Sequence, residues 1–428
     1  MNKYLGPYFK RVIIRSSLFV GGNLFSRILS FLLLPLLVAY LTPTEFTRYG
    51  LLTSAVTLLI PLVTLNLHLA PARLTFDYEE GTPRSNFLYT TFISLALFSI
   101  SVILVLLAIS LALGIHDPVS EGSINLRLLF AAIVFLTVVY EFSVTLMRVE
   151  GSGLRYAITL ISQRLALILL FASLVFVFKD HYLAFMIAYL SSVVIAAGIG
   201  VGFIIKCIGG GSLSYALLRP AVSYAWPTVI HAIAIWAIMS SGRWIGSLYL
   251  PLADLAPYTL VTLFFGVVAL FGRALFEARI PDIGSSFAQG RFRQGRNVIN
   301  QTTLVSFLFV AGIYLILYLV LVLNLPIPDQ YTPSPALLLL AFTANVFDSV
   351  YLRGIQMLQA LKKTKTQASV TVIAGTLAVG MSFILVNYLS DIGLAIAFTV
   401  ALFVQALGSN LAAHLLYTRQ IEHSEEPA

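Results

Sequence analysis

The sequence predicts an all-α polytopic membrane protein with twelve transmembrane helices, arranged as two six-helix lobes related by a pseudo-two-fold axis normal to the membrane. Three observations carry that expectation. Of 428 residues, 59% are hydrophobic and 10% charged, against about 25% charged in a soluble globular domain. Apolar runs long enough to cross about 30 Å of hydrocarbon recur along the whole chain. A stretch near the start of the chain returns near its middle.

In order, the expected spans cover 14–40, 46–70, 87–113, 126–147, 156–178, 182–206, 219–249, 256–279, 298–324, 334–360, 367–389 and 392–417. The basic N-terminal segment leads into an apolar run longer than a signal-peptide core. No small-x-small cleavage site follows, so the run reads as an uncleaved first helix. The breaks between spans carry turn chemistry: TPTE at 42–45, EEGTP at 79–83, HDP at 116–118, KDH at 179–181, PLAD at 251–254 and PIPDQ at 326–330. Pro35, Pro61 and Pro227 are expected to kink their helices.

Lysine and arginine set the expected orientation. One set of loops and ends carries eighteen of them, from Lys3, Lys10, Arg11 and Arg15 through Arg291, Arg293 and Arg296 to Lys362, Lys363, Lys365 and Arg419. The other set carries Arg48, Arg127 and Lys179. The rich side is therefore cytoplasmic, with both termini inside. The net charge of +8 serves topology and argues against a nucleic-acid partner. All loops are short, which leaves no soluble domain to hold a separate active site. The single cysteine, Cys207, excludes an intramolecular disulfide and a cysteine-based metal site.

The returning stretch is YLTPTEFTRYGLLT at 40–53 and YLPLADLAPYTLVT at 249–262, with the shared pattern Y-L-x-x-x-[E/D]-[F/L]-x-x-Y-x-L-x-T. A weaker match aligns RVEGSGLRYA at 148–157 with QALKKTKTQA at 359–368. These divide the chain into an N-terminal lobe at 1–206, a cytoplasmic linker at 207–218 and a C-terminal lobe at 219–428. Two halves with an even number of spans are parallel repeats, which place a substrate site at their interface and move by rocking, giving alternating access.

The stretches VAYLTPTEFTRYGLLTSAVTLL (38–59), SLYLPLADLAPYTLVTLFFGVV (247–268) and LQALKKTKTQASV (358–370) carry a family resemblance. The chain resembles the multidrug/oligosaccharidyl-lipid/polysaccharide (MOP) exporter superfamily, and within it the Wzx-type polysaccharide (O-antigen) flippases of bacteria. That resemblance implies a MATE-like fold, the cytoplasmic (inner) membrane, and undecaprenyl-pyrophosphate-linked oligosaccharide as cargo moved from the cytoplasmic to the periplasmic leaflet. Polysaccharide polymerase and chain-length machinery are the implied partners besides the lipid bilayer. Many relatives carry an acidic residue near the position of Gly242, where this chain reads SSGRWIG. Lipid II flippases of the superfamily typically have fourteen spans, so twelve favour the O-antigen or exopolysaccharide branch.

Five arginines fall inside the expected spans: Arg27, Arg164, Arg243, Arg273 and Arg353. A guanidinium stays charged at bilayer depth, which costs several kcal/mol unless it faces protein or water. It offers two parallel donors to phosphate oxygens, so an arginine-lined cavity would ease the passage of a pyrophosphate headgroup. Each arginine has an ordinary alternative: Arg27 bonding a helix carbonyl or Glu141, Arg164, Arg273 and Arg353 snorkelling to the cytoplasmic surface, Arg273 also pairing with Glu277, and Arg243 anchoring an interface beside Trp244. His68, Asn66, Glu141, His231 and Asp348 are candidates for ion coupling or sugar contact, or for bonds between helices. No HExxH, GxxxxGK[ST] or GxSxG motif is present, so no enzyme, metal site or bound cofactor is expected beyond a coupling ion, H⁺ or Na⁺. The alternative reading within the superfamily is a cation-coupled small-molecule or drug exporter, which would favour acidic over basic residues in the cavity. A polymerase or glycosyltransferase would need a long external loop, and the longest here is about a dozen residues.

Overall fold

In the computed structural model the described residues are 2–322, 328–361 and 363–425. Side chains are described within 18–319 and 328–418, apart from 20, 278, 281, 288, 362 and 364. The side chains of Lys3, Lys10, Arg11, Arg15, Lys362 and Arg419, and the start of the turn at 326–330, lie outside them.

Among the described residues the chain is helical, with no strand. The helices are α1 (Asn2–Tyr40), α2 (Pro43–Thr64), the short α3 (Pro71–Leu74), α4 (Thr82–Ala112), α5 (Ile124–Val149), α6 (Gly153–Leu174), α7 (His181–Ile208), α8 (Tyr215–Met239), α9 (Ser241–Tyr249), α10 (Ala256–Ala288), α11 (Phe292–Val322), α12 (Pro335–Ala360) and α13 (Thr364–Glu425). Among the described residues eleven stretches are long and apolar enough to cross a membrane. The last of them, Lys365–Thr418, runs for 54 residues, about 80 Å if straight. It is not straight. Ser390 has φ 52 and ψ −131, Gly393 turns back onto the Leu385 carbonyl, and Gln405 Nε2 donates to Thr371 Oγ1 at 3.3 Å. Residues 34 apart meet, so α13 is an antiparallel pair that reverses at Ser390.

Local chemistry explains the boundaries. Thr42 and Glu45 form a reciprocal capping box, Thr42 N to Glu45 Oε2 at 2.8 Å and Glu45 N to Thr42 Oγ1 at 3.3 Å, which satisfies free donors at the start of α2. Asp180 Oδ1 accepts from Leu183 N at the start of α7, and Ser334 Oγ from Leu337 N at the start of α12. The second span ends at Thr64 rather than at the expected residue 70, because Leu65 and Asn66 both adopt left-handed backbone. The expected seventh span is broken at Ser240 into α8 and α9.

The chain divides into two compact units. Unit 1 is Met1–Leu41 with Leu51–Ala232, and unit 2 is Thr42–Gly50 with Ile233–Ala428. Thus α2 begins in one unit and ends in the other, and so does α8. Unit 1 packs α1 on α6, α6 on α7, and α5 on α7. Its connection between α4 and α5 is pinned from inside by Arg127, expected as a loop charge but buried here. Arg127 donates to the carbonyls of Ile115 and Ser110 and to Ser120 Oγ, and stands 3.8 Å from Asp117. Unit 2 has three apolar clusters: Leu255, Val268 and Leu394 in one, Phe276, Ile299 and Leu358 in another, and Phe265, Ala344 and Leu402 in the third. Outer faces remain apolar, with Leu97, Leu104, Ile373, Ile384 and Leu415 exposed, as lipid contact demands.

Candidate functional site

Unit 1 gathers three of the charged residues picked out from sequence at one level. Phe19 stacks edge-on with Tyr156 at 5.1 Å, a Cβ on Gly22 would meet Ala157 at 2.6 Å, and Tyr40 meets Phe176 at 5.9 Å. The two numberings rise together, so α1 and α6 are parallel, and Arg27 lies level with Gln163 and Arg164. α5 runs the other way: Arg148 Nη2 donates to Tyr156 Oη at 3.4 Å, and Thr159 Oγ1 to Met147 Sδ at 3.5 Å. Glu141 is six residues back from Met147, about 9 Å, and Arg164 is five on from Thr159, about 7.5 Å. Glu141 therefore shares the level of Arg164 and lies in the field of Arg164 and Arg148, with Tyr140 and Tyr189 beside it. Arg27, Glu141 and Arg164 are all half-buried. Gln163 holds α6 to α7 through Ser192 Oγ at 3.3 Å.

The polar residues after α2 are engaged in structure. Asn66 sits in left-handed backbone (φ 56), which an asparagine tolerates. Its amide donates to Thr228 Oγ1 on α8 at 2.8 Å. Thr64 Oγ1 bonds His68 Nδ1 at 3.2 Å. His68 lies beyond the end of the second span, and burial pushes its pKa down to about 4, so the ring is neutral at physiological pH. His231, on the same face of α8 as Thr228, is half-buried with Nδ1 unpartnered.

In unit 2 a line of polar groups runs along α12. Asn345 Nδ2 donates to Tyr314 Oη at 2.8 Å. One turn on, Ser349 Oγ meets Ser306 Oγ at 3.1 Å. Asp348, its side chain 2% exposed, pairs with Arg273 Nη2 at 3.5 Å, a charge contact without a well-aligned hydrogen bond. Arg273 thus turns to α12 and not to Glu277, which is exposed; the two guanidinium-to-acid options differ in burial, and the buried carboxylate has the greater need of a partner. Arg353 donates from Nε to Asn300 Oδ1 at 2.8 Å and from Nη1 to Asn410 Oδ1 at 2.6 Å, tying α11, α12 and α13 together.

Arg243 has a different setting. It opens α9 just after the break at Ser240, and its guanidinium donates to the Met239 carbonyl (3.4 Å), Ser240 Oγ (3.1 Å) and the Gly50 carbonyl (3.4 Å). Tyr49 and Tyr258, the same tyrosine in the two copies of the internal repeat, both lie in its field. A Cβ on Gly242 would overlap Tyr258 Oη. Gly242 therefore gives the repeat tyrosine its space.

The family model for polysaccharide biosynthesis proteins matches residues 16–281, more than half of the chain. The chain belongs to the polysaccharide biosynthesis protein family. A search of curated proteins finds no significant match. Solved structures with the same fold include the lipid II flippase MurJ in its inward closed conformation, at TM-score 0.71, 14% identity and 96% and 93% coverage of the two chains. An inward-facing multidrug resistance MATE family transporter of the MOP superfamily matches at TM-score 0.72, 15% identity and 96% and 98% coverage. The eukaryotic MATE transporter AtDTX14 matches at TM-score 0.67, 17% identity and 96% and 99% coverage. This member of the polysaccharide biosynthesis family has the MOP fold.

For this family member, sequence picked out the charged residues and left their holders unmarked. Asn300, Asn410 and Thr228 orient Arg353 and Asn66. The available signal was an amide or hydroxyl inside an apolar span, where an unpartnered polar group is costly.

Proposed function

We propose that the protein is a flippase for a lipid-linked oligosaccharide, moving an undecaprenyl-pyrophosphate glycan from the cytoplasmic to the periplasmic leaflet of a bacterial inner membrane by alternating access. It crosses the membrane twelve times, with α8 and α9 forming one crossing and α13 two, and both termini are cytoplasmic. Membership of the polysaccharide biosynthesis family and the fold it shares with the lipid II flippase MurJ support this reading. The observation that carries it is that Arg27 and Arg164 share one level of a parallel helix pair, inside spans that are mostly apolar. Two cations beside one acid, Glu141, leave a net positive level where a diphosphate would pass. At low dielectric, bidentate guanidinium contacts replace the water lost by the phosphates. The polyprenyl chain stays in the lipid.

The test is leaflet exchange of a fluorescent undecaprenyl-pyrophosphate oligosaccharide in liposomes containing the purified protein. Arg27→Ala and Arg164→Ala are each expected to slow exchange about tenfold to a hundredfold, the loss of one charge-assisted contact, with unchanged thermal unfolding. Unimpaired exchange in both variants would remove the arginines from the mechanism. A wild-type protein that moves no lipid-linked glycan but exports organic cations would favour the second reading, a cation-coupled exporter. The buried carboxylate Asp348 and the half-buried Glu141 are the observations on its side.

A further inference from the structure

At one end of unit 2, Arg296 near the start of α11 and Arg353 near the end of α12 bring two cations together with Tyr417 of α13, and among the described side chains no acid pairs with them. Arg353 is held flat by two neutral acceptors, Asn300 Oδ1 and Asn410 Oδ1. Asn410 is itself fixed by donating to the Val350 and Ala406 carbonyls at 2.7 and 2.8 Å. One turn before Asn300 on the same helix stands Arg296, whose guanidinium lies over the ring of Tyr417 at 5.2 Å. Arg296 is close enough to Arg353 for the two like charges to oppose each other. Among the described residues, no carboxylate comes within ion-pair distance of either.

Two donors here have nothing to donate to among the described residues. Arg296 Nε and Tyr417 Oη are both buried without a hydrogen-bond partner, and Tyr417 is 3% exposed. A buried donor left unmade costs much of its desolvation, so what the site calls for is an acceptor with several lone pairs. The internal repeat gives an independent argument. In unit 1 the corresponding end is neutralised: Arg84, in the first turn of α4, pairs with Glu150, at the end of α5, at 2.6 Å. The alignment of RVEGSGLRYA with QALKKTKTQA puts Leu361 where unit 1 has Glu150. Among its described residues unit 2 keeps the cations and has no acid at the aligned position. Arg291, Arg293, Lys363 and Lys365 are exposed at the same end and draw anions toward it.

We propose that Arg296, Arg353 and Tyr417 form a binding site for a phosphate-type anion at this end of unit 2, supplied by a lipid headgroup or by free pyrophosphate. A tetrahedral oxyanion accepts from divergent donors at once, which a spherical halide does less well, and guanidinium forks match its paired oxygens. The site lies inside one unit and does not depend on the cargo proposed above. Its occupant would act as a fixed counter-ion that locks α11, α12 and α13 together.

The experiment is thermal unfolding of the full-length protein in neutral detergent. One arm adds inorganic pyrophosphate, a second adds phosphatidylglycerol, and controls add phosphatidylcholine or sodium chloride at matched ionic strength. A rise in unfolding temperature with both pyrophosphate and phosphatidylglycerol identifies the phosphate group itself as the ligand. A rise with phosphatidylglycerol alone identifies the lipid headgroup. Arg296→Gln is expected to weaken the response about tenfold or more in ligand concentration. Leu361→Glu, which gives unit 2 the acid that unit 1 has, is expected to abolish the response while raising the unliganded unfolding temperature. If Arg296→Gln does not fold, Leu361→Glu carries the test alone. A wild-type protein that responds to neither anion beyond the chloride control, or a Leu361→Glu protein that responds as the wild type does, overturns the site.

Discussion

Arg243 illustrates what a buried cation does when no acid meets it. The chain breaks at Ser240, which frees the Met239 carbonyl from its helical partner, and Arg243 covers that carbonyl and the Gly50 carbonyl with one guanidinium. A membrane interior offers no water to do the same. Arg243→Ala is therefore expected to lower stability by about 2 kcal/mol, chiefly by leaving the Met239 carbonyl at the helix break without a donor, read as a lower unfolding temperature in detergent. Arg243→Lys is expected to recover little of that loss, since a single ammonium on a flexible stem lacks the fork that reaches three acceptors. If the lysine variant unfolds with the wild type, charge alone and not the fork explains the residue. Asn66 shows the same economy on a smaller scale, ending α2 in a left-handed turn and holding α8 through Thr228.

At the scale of elements, close approach depends on residues with no side chain in the way. Between α12 and α13, a Cβ on Gly354 would meet Ser409 Oγ at 2.5 Å and the Asn410 nitrogen at 2.9 Å. Apolar helices in lipid gain little from hydrophobicity against one another, so such contacts supply much of the association through packing. Gly354→Leu is expected to cost about 1–3 kcal/mol by overpacking and to move Asn410 away from Arg353. Gly198→Leu, on α7, where nothing lies within 4 Å, is the matched control and should leave the unfolding temperature unchanged. Equal effects of the two substitutions would mean that helix propensity, and not packing, is being measured.

For the molecule as a whole, orientation is the property that charge placement addresses most directly. Cys207→Ser gives a cysteine-free chain, into which Asp117→Cys or Lys365→Cys can be introduced. Asp117 lies in the connection pinned by Arg127, and Lys365 at the turn between α12 and α13. An impermeant maleimide added to intact bacterial cells should label the cysteine at 117, and the cysteine at 365 only after the cells are opened. The reverse pattern would invert the proposed topology and place the α11–α12–α13 end outside.

The sequence by itself determined the features that are written along one dimension. The apolar runs set the spans, Thr42 and Glu45 wrote the capping box that starts α2, and the repeated Y-L-x-x-x-[E/D] pattern marked the two related halves. It also singled out the charged residues, because an arginine or carboxylate stands out in a stretch of leucines. Only the tertiary structure decided their company. That Arg27 and Arg164 share a level with Glu141, that Arg273 turns to Asp348, that Tyr49 and Tyr258 meet at Arg243, and that α13 reverses at Ser390 all depend on helix direction and register. A membrane helix is apolar on nearly every face, so it lacks the one-sided pattern that in a soluble helix announces which side looks inward. Register between such helices is set by small residues and polar pairs many positions apart, and those become neighbours only when the chain has folded.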